Sequence, residues 1–362
     1  MAKKVEKKEE KGNNRVNSAL ALLRKKFGDD SAMTFDNIGI TKVDVISSGS
    51  LKLDKILGIG GWPRGRITLL WGDYSSGKST ICLQAVANAQ KQGLVCAYVD
   101  MEHALDPIYA ENLGCNMSEL ILLQPDGGEQ ALEAIKLMAQ EKAVDLIILD
   151  SIVACVPESE LEGELADPNI GRQAKLFSSF FKQVTPAIEK ANITLICTNQ
   201  VRLRPGGYGN PEVLPCGQAQ LFYSSIICRT RRQASQKEET SEGIVANQIS
   251  VHVEKNKLAS PFRKAELMIY YGKGFSADNE MFDIAVEFGI IDKAGAWFSY
   301  RGEKIGQGAV KAKAWLNEHK DIKEVIMEKV KEILMKPNNE KMVLQNEEVE
   351  LNYDPETGEV FE

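Results

Sequence analysis

The sequence predicts an α/β fold: a mostly parallel central sheet covered by helices, with an N-terminal docking helix before it and a small C-terminal α/β domain after it. Three observations carry this expectation. Short apolar runs (RITLLWG, VCAYVD, LIILDS, ITLICTNQ) read as strands buried on both faces. Helix-like runs lie between them, among them STICLQAVANAQ and EQALEAIKLMAQ, and strands alternating with helices build parallel sheets. A loop of the pattern GxxxxGK[ST] joins the first of these strands to the first of these helices.

Bulk properties narrow the class. A chain of 362 residues can bury one large core with small appendages. Apolar residues make up 43% and charged residues 26%, the balance of an ordinary globular protein. No apolar stretch reaches the roughly 20 residues of a bilayer span. The start MAKKVEKKEEKG has no apolar segment behind it, so no secretory signal is expected. The seven cysteines form no CxxC pair and lie mostly in apolar surroundings, as small buried hydrophobes of a reducing, cytoplasmic compartment do. The three histidines show no metal-ligand spacing. A net charge of -7 leaves nucleic acid open as a partner, because a basic surface can be local.

Along the chain, residues 1–13 are rich in Lys and Glu and are expected to be disordered. Residues 14–27 read as a short amphipathic helix ending in a basic turn before Gly28. Such a helix is marginal alone and must dock on its own core or on a neighbouring subunit. After a Gly/Ser-punctuated segment near 43–59, strands and helices alternate through a helix at 173–190 to ITLICTNQ. Residues 202–218, RLRPGGYGNPEVLPCGQ, hold four Gly, three Pro and two Arg and read as a long functional loop. The strand-like runs SSIICRT, ISVHVEK and KAELMIYY follow, with antiparallel pairing open for this half of the sheet. The last 16 residues carry seven acids and no base, a like-charged tail. The expected boundaries are 1–40 for the N-terminal segment, 41–274 for the core, 275–335 for the small domain and 336–362 for the tail.

The strongest motif is Gly72-Asp73-Tyr74-Ser75-Ser76-Gly77-Lys78-Ser79, followed by Thr80. Loop amides and a helix N-terminus suit phosphates, Lys78 suits the β- and γ-phosphate charge, and Ser79 suits Mg²⁺. Asp150 ends the strand LIILD, where an acid serves the Mg²⁺ of a phosphate site; the bland reading is a strand-end cap. Glu102 follows VCAYVD. If that strand lies beside the phosphate-loop strand, Glu102 can deprotonate the attacking water; otherwise it is a surface carboxylate. Gln200, at the tip of ITLICTNQ, is either a γ-phosphate sensor joined to the glycine-rich loop or a simple strand terminus.

The chain resembles the bacterial RecA recombinases. The resemblance runs through ISSGSLKLDKILGIGGWPRGRI, SSGKST, VDMEHALDPIYAENLG, LQPDGGEQALE, VDLIILDSIVACVP, ELEGELADPNIGRQAK, TNQVR, YGNPE, LFYSS and VEKNKLASPFRKAE, over roughly residues 14–335. It implies a RecA-type phosphate-loop ATPase core that binds ATP and Mg²⁺ between protomers of a helical filament. Lys78 and Ser79 resemble the family's phosphate and magnesium contacts, Glu102 its catalytic base, Asp150 its Walker B acid and Gln200 its ATP-to-DNA switch. Asp106 and Tyr109 resemble the adenine contacts. Lys255 and Lys257 resemble a pair donated to the neighbour's γ-phosphate, and Phe222 an interface aromatic; without the family match these three are a basic strand edge and a core aromatic. The implied partners are single-stranded and double-stranded DNA, further copies of the chain, a LexA-like repressor of the damage response and a single-stranded-DNA-binding protein, with no membrane.

Two loops are expected to line the filament axis, at about 160–172 and 202–217. Arg172, Lys175, Arg202 and Arg204 suit phosphates, and Ile170 and Tyr208 suit wedging or stacking against bases. Arg231 and Arg232 either assist or are solvated surface. The chain departs from the family pattern at several points. Asp73 stands where proline is usual, and Trp71 where a smaller or phenolic residue is. The second loop is one residue shorter before YGNPE, and it reads EVLPCG in place of a threonine-rich run ending in two glycines, with Pro215 and Cys216 near its end. Such divergence suits a phage or other mobile element. The competing readings are a RecA-core ring helicase motor, a DNA-coating accessory protein with little ATP turnover and a metabolic kinase.

Overall fold

The structure is a computed structural model describing residues 2–28, 31–33, 43–162, 171–203, 212–240 and 243–335. It divides into a short unit, residues 1–43, and a large one, residues 44–362.

The short unit is built on helix α1 (Ala2–Phe27). The helix takes in residues 2–13, which sequence reading left disordered. Lys, Glu and Ala are strong helix formers, and a helix nucleated in the apolar stretch downstream extends through them. Arg24, Lys25 and Lys26 complement the C-terminal dipole. Val16, Leu22, Leu23 and Phe27 are exposed.

The large unit opens with β1 (Val45–Ile46), α2 (Leu51–Leu57) and β2 (Trp62–Pro63). Its central part runs β3 (Arg66–Gly72), α3 (Lys78–Lys91), β4 (Cys96–Asp100), α4 (Pro107–Asn112), β5 (Leu120–Leu123), α5 (Gly128–Gln140), β6 (Leu146–Asp150), α6 (Glu158–Leu161), α7 (Arg172–Ala191) and β7 (Thr194–Gln200). Next come β8 (Arg202–Leu203), β9 (Glu212–Val213), α8 (Ala219–Tyr223), β10 (Ile226–Thr240), β11 (Gly243–Asn256) and β12 (Lys264–Tyr270). The chain then forms α9 (Ala277–Glu287), β13 (Asp292–Ala294), β14 (Trp297–Tyr300), β15 (Glu303–Gln307), α10 (Ala309–Glu318) and α11 (Lys320–Met335).

The main sheet has eight strands in the order β12-β11-β10-β3-β7-β6-β4-β5. From β10 to β5 every pairing is parallel, while β11 and β12 extend the sheet antiparallel, so the second half is antiparallel as the sequence left open. Neighbouring residues along each strand feed opposite faces. Leu70, Tyr98, Ile148 and Ile196 pack with Ile81, Val86 and Ala89 of α3. Leu69, Val99, Leu149 and Leu195 pack on the other face with Leu132 and Ile135 of α5 and with Phe177, Phe181 and Val184 of α7. Burial on both faces explains why these strands read as continuous apolar runs.

Residues 277–335 have their own core, including Phe282, Ile291, Phe298, Leu316, Ile326 and Val330 around the three-stranded sheet β13-β14-β15. Leu51 of α2 enters this core. Beside it, buried Glu280 accepts from the Ser50 hydroxyl at 2.9 Å and the Lys52 amide at 3.1 Å. All seven cysteines are buried and free, as expected, and burial drives their thiols up. Among the described residues no helix is long and apolar enough to cross a membrane.

Candidate nucleotide and DNA-coupling site

The phosphate loop leaves β3 under a roof made by β10. A Cβ on Gly72 would sit 2.1 Å from the Thr230 carbonyl oxygen, so only glycine fits there. Thr230 Oγ1 also meets Ser76 Oγ at 2.6 Å. Ser75 and Gly77 take φ of 53° and 85°, which turns the loop into the N-terminus of α3. Successive amides in such a turn form an anion-binding concavity. The Lys78 ammonium donates to the Asp73 carbonyl at 2.6 Å and the Gly72 carbonyl at 3.2 Å. Burial pushes its pKa down, while Asp150, Glu102 and Asp73 oppose that shift.

Asp150 accepts hydroxyl hydrogen bonds from Ser79 (2.8 Å), Tyr98 (2.7 Å) and Thr198 (2.5 Å). Burial and this carboxylate together drive the Tyr98 phenol well up, so it stays a donor. The paired Ser79 hydroxyl and Asp150 carboxylate are hard oxygen donors of the kind Mg²⁺ takes.

The sequence argument for Glu102 required β4 to lie beside β3. It does not: β7 and β6 stand between them. Glu102 nevertheless reaches the site, because the parallel strands end along one edge, with Gly72 paired to Gln200 and Asp100 to Asp150. Ligands of open α/β sheets bind outside these carboxyl ends. Glu102 Oε1 accepts from Ser151 Oγ at 2.6 Å and from Gln200 Nε2 at 2.9 Å. The Gln200 oxygen in turn accepts from Arg202 at 3.3 Å.

A cavity of about 460 Å³ brings together residues 74–80, Glu102, Tyr109, Asp150 and Gln200. Thr80 and Tyr109 share a hydroxyl contact at 2.8 Å. Asp106 caps α4, accepting from the Ile108 and Tyr109 amides, and so aims Tyr109 at the cavity without lining it. Sequence reading missed Asn247, Ile249, Ile269 and Tyr271, which also line it, and named Arg232 only as an aid to DNA binding or solvated surface. They arrive on β10–β12 and on the residue after β12, and no motif marks them. The buried Asn247 Oδ1 has no hydrogen-bond partner among the described residues, an acceptor that a bound donor would satisfy.

Lys255, Lys257 and Phe222 form a separate cluster. Lys255 Nζ donates to the Leu221 and Phe222 carbonyls at 2.5 and 3.2 Å, and Lys257 Nζ to the Phe222 carbonyl at 3.2 Å. The Phe222 side chain is 68% exposed, not a core aromatic. None of the three lines this chain's own phosphate cavity.

Of the residues expected at the first loop, Arg172 donates to the Ser159 carbonyl at 3.0 Å and Lys175 is exposed on α7. Ile170, Arg204 and Tyr208 lie outside the described residues. The stem of the second loop is the antiparallel pair β8–β9, Arg202 opposite Val213 and Leu203 opposite Glu212. At its far end Cys216 is buried with φ 68°, and Gly217, φ 80°, packs against Ala174. The left-handed backbone at 216 is a glycine conformation occupied here by cysteine.

This architecture defines a phosphate-loop ATPase in which one edge of a mostly parallel sheet joins the nucleotide cavity to a glycine-rich loop. Comparison gives the family. Residues 14–276 match the RecA N-terminal domain and residues 279–335 the RecA C-terminal domain. Protein RecA of Listeria welshimeri is 45% identical over 318 residues, spanning 88% of this chain and 91% of that one. Protein RecA of Listeria ivanovii gives the same identity and coverage. A solved structure, the RadB recombinase, is similar with a TM-score of 0.49 and 23% identity, over 64% of this chain and 98% of that chain. The chain belongs to the RecA family: it is a RecA-type recombinase and a DNA-dependent ATPase.

Proposed function

We propose that this chain assembles as a helical filament on single-stranded DNA, binds ATP with Mg²⁺ at the 460 Å³ cavity, and uses hydrolysis to turn the filament over after homology search and strand exchange with duplex DNA. The observation that carries this reading is the chain of contacts Glu102–Gln200–Arg202, which links the base position to the stem of the second DNA loop.

Lys78 and the loop amides would take the phosphates, and Tyr109, positioned by Asp106, with Tyr271 and Asn247 would take the base. Ser79 and Asp150 would hold Mg²⁺, which when bound offsets phosphate charge. Glu102, held by Ser151 and Gln200, would accept the proton of the attacking water. Half-buried Lys255 and exposed Lys257, beside Phe222, would complete the site of the next protomer, supplying charge stabilisation only on assembly. Arg172, Lys175, Arg202 and Arg204 would hold DNA phosphates without reading sequence, leaving the bases free to test pairing. Ile170 and Tyr208 would contact bases. A LexA-like repressor and a single-stranded-DNA-binding protein are the further partners of this reading, and the free, buried cysteines suit a reducing cytoplasm.

The test is ATP hydrolysis with and without single-stranded DNA, with Lys78→Ala as control. Stimulation that the variant loses supports the reading. DNA binding without stimulation would leave a passive coat.

A further inference from the structure

Arg229 lies on β10, one residue before the Thr230 that roofs the phosphate loop. The parallel register sets it opposite Trp71, the residue that leads into the loop. Its guanidinium stacks on the Trp71 ring at 4.7 Å, pairs with Glu212 of β9 and lies 4.0 Å from Glu254 of β11. Trp71 Nε1 donates to the same Glu254 at 2.9 Å, and Arg231 pairs with Glu212 at 3.0 Å. The Arg229 side chain is only 12% exposed. Burial and Arg231 act against its charge, whereas Glu254 and Asp73 favour it.

These contacts account for one departure from the family pattern, Trp71. An indole at position 71 supplies both a face for the guanidinium and a donor for Glu254.

They also give the second loop a separate connection. The stem has two strands. Arg202, on β8, leads through Gln200 to Glu102 at the hydrolytic end of the cavity. Glu212, on β9, leads through Arg229 to Trp71 at the root of the phosphate loop. A guanidinium shared between acids on different elements transmits motion, because displacing the loop root changes the field and the stacking partner that hold Arg229 against Glu212. We propose that Arg229 is a positioning residue that couples the phosphate loop to the stem of the second DNA loop by a route separate from Gln200.

The inference rests on the reading that residues 202–217 bind DNA. Its test measures affinity of the full chain for a labelled oligo(dT) with a slowly hydrolysed ATP analogue and with ADP, and takes the ratio. R229Q is expected to shrink the wild-type ratio by about 10-fold, within the usual range of coupling between sites. R229K, which keeps charge but loses the planar fork and stack, should fall between. R229Q/E212Q should be no worse than R229Q, because the two act through one contact. R229Q/Q200A should lose more than either single variant, because the routes are separate. A wild-type ratio retained in R229Q, or losses in R229Q and E212Q that simply add, overturns the proposal. If R229Q does not fold, E212Q carries the same comparison, and a wild-type ratio there overturns it. A wild-type ratio of one sinks the DNA-loop reading and this inference with it; a large ratio that R229Q keeps sinks this inference alone.

Discussion

Gln200 donates its side-chain amide to the Glu102 carboxylate at 2.9 Å while its oxygen accepts from Arg202 at 3.3 Å. One side chain thus touches the base position and the loop stem, the arrangement a sensor requires. Gln200→Ala is expected to retain ATP binding and to lose most DNA stimulation of hydrolysis. Steady-state kinetics would show kcat falling with KM for ATP little changed. Full stimulation in the variant would exclude Gln200 as the link.

Glu102 is held by two donors, Ser151 and Gln200, which orient one of its oxygens. Glu102→Gln keeps the shape and removes the carboxylate proposed as the base. Hydrolysis should drop by about 100-fold or more, the usual scale for losing a general base. Filament assembly with ATP, read by light scattering, should persist.

Arg202 is exposed on β8 and aligned beside the loop. Arg202→Ala should weaken single-stranded DNA binding by a similar factor for all sequences. The slope of log affinity against log salt should fall by about 0.7, the value for one phosphate contact on a single strand. An unchanged slope would place Arg202 off the DNA.

Asp54 is half-buried and accepts hydrogen bonds from Ser47 and Ser48, and desolvation pushes its carboxyl up to about 6. Its folded pKa exceeds its unfolded one, so the folded state binds the extra proton. The associated stability is full below the unfolded carboxylate range and is lost as pH rises through about 6. Buried Glu280 is shifted in the same direction. Denaturant midpoints measured from pH 4 to 7 should therefore decline for wild type and decline less for Asp54→Asn. Parallel curves would remove Asp54 as a source of the slope.

Cys216 holds a left-handed backbone with a buried side chain. Cys216→Gly loses the thiol but relieves the backbone, whereas Cys216→Ala loses the thiol and keeps the strain. The glycine variant should be the more stable of the two by about 1 kcal/mol in chemical denaturation. The reverse order would mean that packing by the Cβ outweighs the backbone term.

The phosphate loop, Asp150 and Gln200 could be read from the chain alone because each lies within one strand–loop–helix step, where local pattern and local geometry coincide. The strand-like runs of the second half were visible too. Glu102 lines the cavity, but not through the strand adjacency expected for it: apolar strand patterns report that a strand is buried but not which strand lies beside it. Asn247 and Tyr271 were missed for the same cause, since they join the cavity only when β11 and β12 fold back beside β10. The disorder expected for residues 1–13 came from composition, which does not weigh propagation from the helix next to them.

By itself, then, the sequence determined the α/β class, the phosphate loop and the elements that carry Glu102, Asp150 and Gln200, because short-range periodicity and loop chemistry are encoded within a few residues. Only the tertiary structure decided the order of the strands, the separation of β4 from β3, and the meeting of Arg229 with Trp71, Glu212 and Glu254. Those are pairings between distant segments, selected by which faces bury together and which charges can be satisfied there, and no local pattern records that choice.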